Sequence, residues 1–226
     1  MRSSLPRQTR KIRPTQRSFS GIYAFRGKTS IPYESTLERD FIIRMEFLRP
    51  VLEIVPQPVK VPFLGRNGRT YSYTPDFLVY FQPSTNCSDP ERKPLLVEVK
   101  PAAEWRKHWR VWAAKWKAAR HYAIEQGWHF RIADESRIRD QVLANINYLN
   151  RYKRMSIPDE LGSSLIDSIR RTDATTAGNL AELHFEPDKR LKGMAYIWHL
   201  VAIQHLECQL AAPLTERTAL WIPCHD

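Results

Sequence analysis

Several large classes of protein are excluded by what this sequence lacks. Its 226 residues hold three cysteines, Cys87, Cys208 and Cys224. No two of them are close enough to suggest a zinc site or a disulfide framework, so they read as reduced, cytosolic thiols. No apolar run approaches the roughly 20 residues that a membrane span needs. The basic start, MRSSLPRQTRKIRPTQRSFS, has no apolar stretch behind it and does not read as a secretory signal. Seven histidines are spread without ligand spacing. His199 and His205 lie on one expected helix and read as partly buried or surface residues. No glycine-rich loop resembles a P-loop, so the chain is not expected to bind ATP itself. No internal repeat is visible.

Charge is present in excess and unevenly placed. There are 35 Lys and Arg against 24 Asp and Glu, a formal net charge of +11. Met1 to Arg154 holds 29 basic and 14 acidic residues, whereas Met155 to Asp226 holds 6 and 10. A basic front joined to a mildly acidic back points to different partners for the two parts. The front is suited to polyphosphate, which it would bind with release of counterions.

The pattern divides into three segments. Residues 1–20 contain Arg2, Arg7, Arg10, Lys11, Arg13 and Arg17 with no acid, and read as a flexible arm laid along a phosphate backbone. Residues 21–154 read as one α/β domain. ESTLERDFIIRMEF has helical spacing, with Ser35 or Thr36 available to cap it. VLEIVPQPVKVPFL and TYSYTPDFLVYF flank Asn67–Gly68, a hairpin signal. PLLVEVK is a further strand, stopped by Pro101. Glu104 to Gln126 is a long helix with Trp105, Trp109, Trp112 and Trp116 in one stripe, read as core in preference to a base-stacking platform. WHFRIAD is a strand and Ser136 to Arg154 a helix. The order implies a mixed sheet with flanking helices. Residues 155–226 predict three short helices and a small hairpin, the outline of a winged helix.

The chemistry resides in a few charged residues. On a strand, Glu98 and Lys100 share one face, while Val97 and Val99 take the other. Asp76 opens an apolar strand after Pro75, with 21 residues between it and Glu98. Neighbouring strands can bring Asp76 and Glu98 onto one hard cation, and oxygen ligands of this kind match Mg2+. Glu38 lies beside the buried stripe of the first helix and completes the set. Carboxylates this close repel one another unless a cation intervenes. Asp76, Glu98 and Glu38 are thus candidate metal ligands, for Mg2+ with Mn2+ able to substitute. Lys100 would stabilise developing charge on a scissile phosphate or orient the attacking water.

The runs YESTLERDFI, QP at Gln57–Pro58, YTPDFLV and LLVEVK occur in the order found in TnsA-type endonucleases. Over about Gly21 to Arg154 the chain resembles these restriction-endonuclease-like subunits of heteromeric bacterial transposases, and it resembles their winged-helix-like domain more loosely beyond. The resemblance implies a magnesium-dependent DNA endonuclease that cuts the 5′ ends of a mobile element during excision. An RNase-H-type transposase subunit would cut the 3′ ends, and an AAA-type ATPase regulator would engage the carboxy-terminal domain. It implies transposon-end duplex DNA as substrate, a bacterial cytoplasmic, nucleoid-associated location, and catalytic roles for Glu38, Asp76 and Lys100. Some members carry Gln where this chain has Glu98, the usual choice of restriction enzymes.

Two other functions fit the same residues. A free-standing restriction-like or repair nuclease would cut DNA unaided. A nuclease-dead DNA-binding assembly module would have little use for the full acidic set. The arm, through Arg10, Lys11, Arg13 and Arg17, is the candidate DNA-binding element. Removing residues 1–20 is expected to weaken duplex binding and flatten its salt dependence; an unchanged slope in a fluorescence-anisotropy titration would exclude the arm.

Overall fold

A computed structural model describes residues 8–9, 19–83, 92–172 and 174–223. Arg10, Lys11, Arg13 and Arg17 lie outside the described residues, as do Cys87 and Cys224. The chain divides into two compact units, one ending at Arg139 and the other beginning at Asp140.

The first unit opens with a hairpin, β1 (Gly21–Phe25) and β2 (Thr29–Tyr33). Arg26 and Gly27 both take positive φ at its turn, as a type I′ connection requires. The sequence alone implies no more than a lead-in here. Helix α1 (Thr36–Phe47) follows, capped by the Ser35 side chain, which accepts from the Glu38 amide.

Then comes one long hairpin broken at its middle. Its base is β3 (Val51–Pro56) paired antiparallel with β6 (Phe77–Phe81); its tip is β4 (Val61–Leu64) paired with β5 (Thr70–Tyr73) as a separate two-stranded sheet. The tip turns where expected, with the Gly68 amide bonded to the Gly65 carbonyl and Gly68 at φ 74°. The break falls at Gln57–Pro58 opposite Pro75–Asp76. Gln57 takes the left-handed conformation (φ 45°), and its amide donates to the Asp76 carbonyl at 2.7 Å. Two prolines and a left-handed residue cannot continue a ladder, so the strands separate there.

Strand β7 (Leu95–Val99) pairs antiparallel with β6, helix α2 (Ala102–Glu125) crosses over, and β8 (His129–Ala133) lies parallel to β7. The sheet order is β3–β6–β7–β8. One face packs on α1 and the first hairpin through Leu37, Phe41, Ile42, Val97 and Val99. The other packs Leu78 and Leu96 against Ala123 of α2. A single-turn helix α3 (Glu135–Ile138) ends the unit.

The second unit begins with α4 (Gln141–Leu149), capped by Asp140, whose side chain accepts from the Leu143 amide. This corrects the single helix expected over Ser136 to Arg154 and moves the division from Arg154 to Arg139. Asp140 starts a new helix, and Asn145 donates to the Leu210 and Ala212 carbonyls, tying α4 to the second unit. Helix α5 (Asp159–Thr172) is followed by the short strand β9 (Thr175–Thr176), helices α6 (Ala177–His184) and α7 (Arg190–Ala202), and the short strands β10 (Glu207–Cys208) and β11 (Ala219–Trp221). The strands form an antiparallel sheet in the order β10–β11–β9. His199, expected to be partly buried or exposed, is buried on α7 with Nδ1 2.8 Å from the Tyr152 carbonyl. No described helix is long and apolar enough to cross a membrane.

Candidate active site

The break in the long hairpin decides where Asp76 goes. The β6–β7 ladder stops at the pair Phe77–Val97, and two residues further along β7 the Val99 amide donates instead to Asp76 Oδ2 at 2.7 Å. A side chain thus finishes the ladder, and the same bond fixes the carboxylate beside the end of β7.

Glu98 and Lys100 share a face as the alternation requires. Val97 and Val99 belong to the cluster under α1, whereas Glu98 is directed to the α2 side. Glu98 is 1% exposed, and such burial is costly for a carboxylate without partners. Its Oε2 accepts the Tyr73 hydroxyl at 2.5 Å. Its Oε1 lies 3.5 Å from Lys115 Nζ and 3.7 Å from Lys100 Nζ. Tyr73 and Lys115 are functional candidates that the sequence does not signal. Their neighbourhood depends on the β5 tip folding back towards α2, which no spacing along the chain announces.

Glu38 is 7% exposed and forms a reciprocal cap with Ser35. Its Oε1 accepts the Ser35 hydroxyl at 3.0 Å and its Oε2 the Glu34 amide at 2.8 Å. Both oxygens therefore serve the helix start, and Ser35-x-x-Glu38 carries the spacing of a capping box. Glu38 and Lys100 also line a cleft of about 540 Å³ between α1 and the start of α2, together with Glu34, Glu104, Glu135 and Arg139. Arg139 donates to Asp40 at 2.7 Å and to Thr36 at 3.0 Å, closing one wall.

Electrostatics couples the four predicted residues. Burial raises the Asp76 pKa well above the ordinary carboxylate value, and Glu98 and Glu38 push it the same way, against Lys100 and the Val99 amide. Burial also raises Glu38, against its hydrogen bonds to Glu34 and Ser35 and the charge of Lys100. Burial works against the charge on Lys100, but Asp76, Glu98, Glu38 and Glu104 outweigh it and hold its pKa above the usual lysine value. Tyr73 is held protonated by burial and by Glu98.

A metal would relieve the repulsion around Asp76, and the donors are hard oxygens. Among the described residues no three acidic, histidine or cysteine side chains stand together as a ready-made cage. Asp76 and Glu98 fit Mg2+ in its usual manner, in which one or two carboxylates are supplemented by water and phosphate oxygens.

The Trp stripe is only partly core. Trp116 is buried, Trp105 and Trp112 are half-buried, and Trp109 is 49% exposed. A neighbouring face of α2 carries a second feature, absent from the sequence expectations. From Trp105 to Ile124 there are six Lys and Arg and no acid. Arg106, Arg110 and Lys117 are exposed and, at intervals of four and seven residues, fall in one line along the helix. The tip β4–β5 adds exposed Arg66 and Arg69, with exposed Lys60 at its foot, and Arg66 Nη2 donates to the Arg110 carbonyl at 2.8 Å.

A mixed sheet flanked by helices, with carboxylates and a lysine gathered at the ends of adjacent strands, is the restriction-endonuclease-like arrangement. Residues 49–135 match the family model described as TnsA-like endonuclease N terminal, and the chain carries a TnsA-like endonuclease N-terminal domain. No match was found among the curated proteins.

A carboxyl whose pKa is raised by folding favours the folded state below the ordinary carboxylate range, and that stability is lost as pH rises through the raised value. Asp76→Asn keeps an acceptor for the Val99 amide and removes this loss. In chelator, the variant is expected to melt above the wild type at neutral pH, by about 2–4 °C per kcal/mol recovered. The gap should close at about pH 4, where a free carboxyl titrates. Calorimetric scans showing parallel pH profiles would refute the upward shift that burial and the neighbouring carboxylates impose on Asp76.

Proposed function

We propose that this protein is the DNA endonuclease subunit of a heteromeric transposase. In this reading it hydrolyses phosphodiester bonds at the 5′ ends of a mobile element during excision, while an RNase-H-type partner cuts the 3′ ends. The observation that carries it is the meeting of Asp76, Glu98 and Lys100 where β6 and β7 end, inside a TnsA-like endonuclease domain.

Asp76 and Glu98 would hold Mg2+, or Mn2+ in its place, with Glu38 close enough to tune their charge. The bound cation would neutralise phosphoryl oxygens and supply an activated water. Lys100, at the cleft, would face the scissile phosphate; its raised pKa keeps it an ammonium throughout the neutral range. Tyr73 would keep the buried Glu98 oriented through its hydroxyl.

Duplex DNA would lie against the acid-free face of α2 and the β4–β5 tip, in addition to the amino-terminal arm. For the second unit we propose a winged-helix-like module that engages an AAA-type ATPase. Its helix–strand–helix–helix–hairpin order supports the first part. The acidic balance of residues 155–226, the exposed Leu183 and Leu191, and the largely buried α7 favour a protein partner over phosphate.

A strand-specific assay on an element-end duplex, with Mg2+ and the co-encoded transposase, tests the site. Asp76→Ala and Lys100→Ala are each expected to lower 5′-end cleavage by on the order of 100-fold or more, with duplex affinity nearly unchanged. Release of 5′ ends by either variant at the wild-type rate would end the assignment, and efficient cutting without the transposase would identify a free-standing nuclease. Replacing Arg106, Arg110 and Lys117 together by Ala is expected to reduce the salt slope of duplex binding by about 0.9 for each phosphate no longer neutralised. If slope and affinity both stay at wild-type values, the helix face is not the DNA surface.

A further inference from the structure

Lys115 has no part in the chemistry proposed above, yet it is the most elaborately housed cation among the described residues. Its ammonium lies 4.6 Å from the Tyr73 ring centre, 4.8 Å from that of Trp112 and 5.5 Å from that of Trp116. The side chain is 18% exposed, and Nζ stands 3.5 Å from Glu98 Oε1. Three ring faces and one carboxylate replace most of its water, and ring faces attract a cation strongly when it is desolvated. Tyr73 belongs to both groups: its ring supports Lys115 while its hydroxyl holds the other oxygen of Glu98.

The arrangement answers a problem posed by Glu98. A carboxylate 1% exposed needs a compensating positive charge whether or not a metal is present. Lys100 is 3.7 Å away and is shared with Asp76, Glu38 and Glu104, whereas Lys115 is committed to Glu98 among the described carboxylates. A divalent cation would bind the same carboxylate, and two cations at one oxygen repel each other. The rings offer the ammonium a place to remain once Glu98 is taken.

We infer that Lys115 is a built-in counterion of Glu98 that competes with the divalent cation, so that the Lys115–aromatic cage sets the metal affinity of the site. This rests on the reading of Asp76 and Glu98 as metal ligands. Lys115 is on this account a positioning residue with a defined sign: it holds Glu98 in the metal-free protein and opposes metal binding.

The full-length protein, stripped of metal, can be titrated with Mn2+ by calorimetry. Lys115→Met keeps the length of the stem and removes the charge; it is expected to tighten Mn2+ binding about tenfold or more, the scale on which one close charge alters a carboxylate's affinity for a cation. Lys115→Arg keeps the charge and is expected to bind Mn2+ as the wild type does. Lys115→Gln keeps a donor without charge and replaces Lys115→Met should that variant not fold. Thermal melts in chelator of Lys115→Met, Glu98→Gln and the double variant give a second readout. Lys115→Met should lower the melting temperature when Glu98 is present and have no such effect in the Glu98→Gln background. Equal Mn2+ affinity in wild type and Lys115→Met overturns the inference and leaves the ligand reading intact. Weaker binding in the variant overturns it too, since Lys115 would then be assisting the metal. Failure of every protein to bind Mn2+ removes the ligand reading, and the competition with it.

Discussion

Negative charge inside a sheet has to be met by something, and the first unit is organised around that requirement. Asp76, Glu98 and Glu38 meet it in three ways. Asp76 takes the backbone amide of Val99 where the ladder stops. Glu98 is held by a phenol and flanked by two ammonium groups. Glu38 accepts donors at the start of α1. None of these solutions fully discharges the cluster, because Asp76 and Glu38 still hold their protons more tightly than free carboxylates do. Burial raises both pKa values, and at Asp76 the charges of Glu98 and Glu38 add to it; strongly perturbed carboxyls of this kind are more common at functional sites than among satisfied structural acids.

The charged strand end is legible in the chain because period-two alternation places Glu98 and Lys100 together without any knowledge of the fold. Asp76 is legible because a carboxylate after proline at the head of an apolar strand has few places to go. The turn at Gly68 and the cap at Ser35 are equally local. Tyr73 and Lys115 are hidden, since they reach Glu98 only after the long hairpin breaks at Gln57 and its tip meets α2. The division at Arg139 is hidden by continuity: the helical pattern runs on, and one side chain, Asp140, starts a new helix within it. The basic line on α2 is visible in the spacing of Arg106, Arg110 and Lys117, but four tryptophans on the same helix make packing the stronger signal there.

The TnsA-like match covers residues 49–135 and therefore β3 through β8, with Asp76, Glu98, Lys100 and Lys115 inside it. Helix α1 and Glu38 lie before it. Glu38 lines the cleft and acts electrostatically on Asp76 and Lys100, and it carries a structural duty at the helix cap besides. Removing it would disturb a helix start as well as a charge, so its loss is the least diagnostic of the four.

The break at Gln57 and Asp76 has an architectural consequence. Because β4 and β5 form their own sheet, the pairing of β3 with β6 is fixed below the break and does not depend on how long the arm above it is. Residues can be inserted or exchanged near Arg66 and Arg69 without sliding Asp76 along its neighbour. The basic tip and the carboxylate at the foot of β6 are in this sense separable along one hairpin, and the outer half is free to diverge while the inner half stays in register.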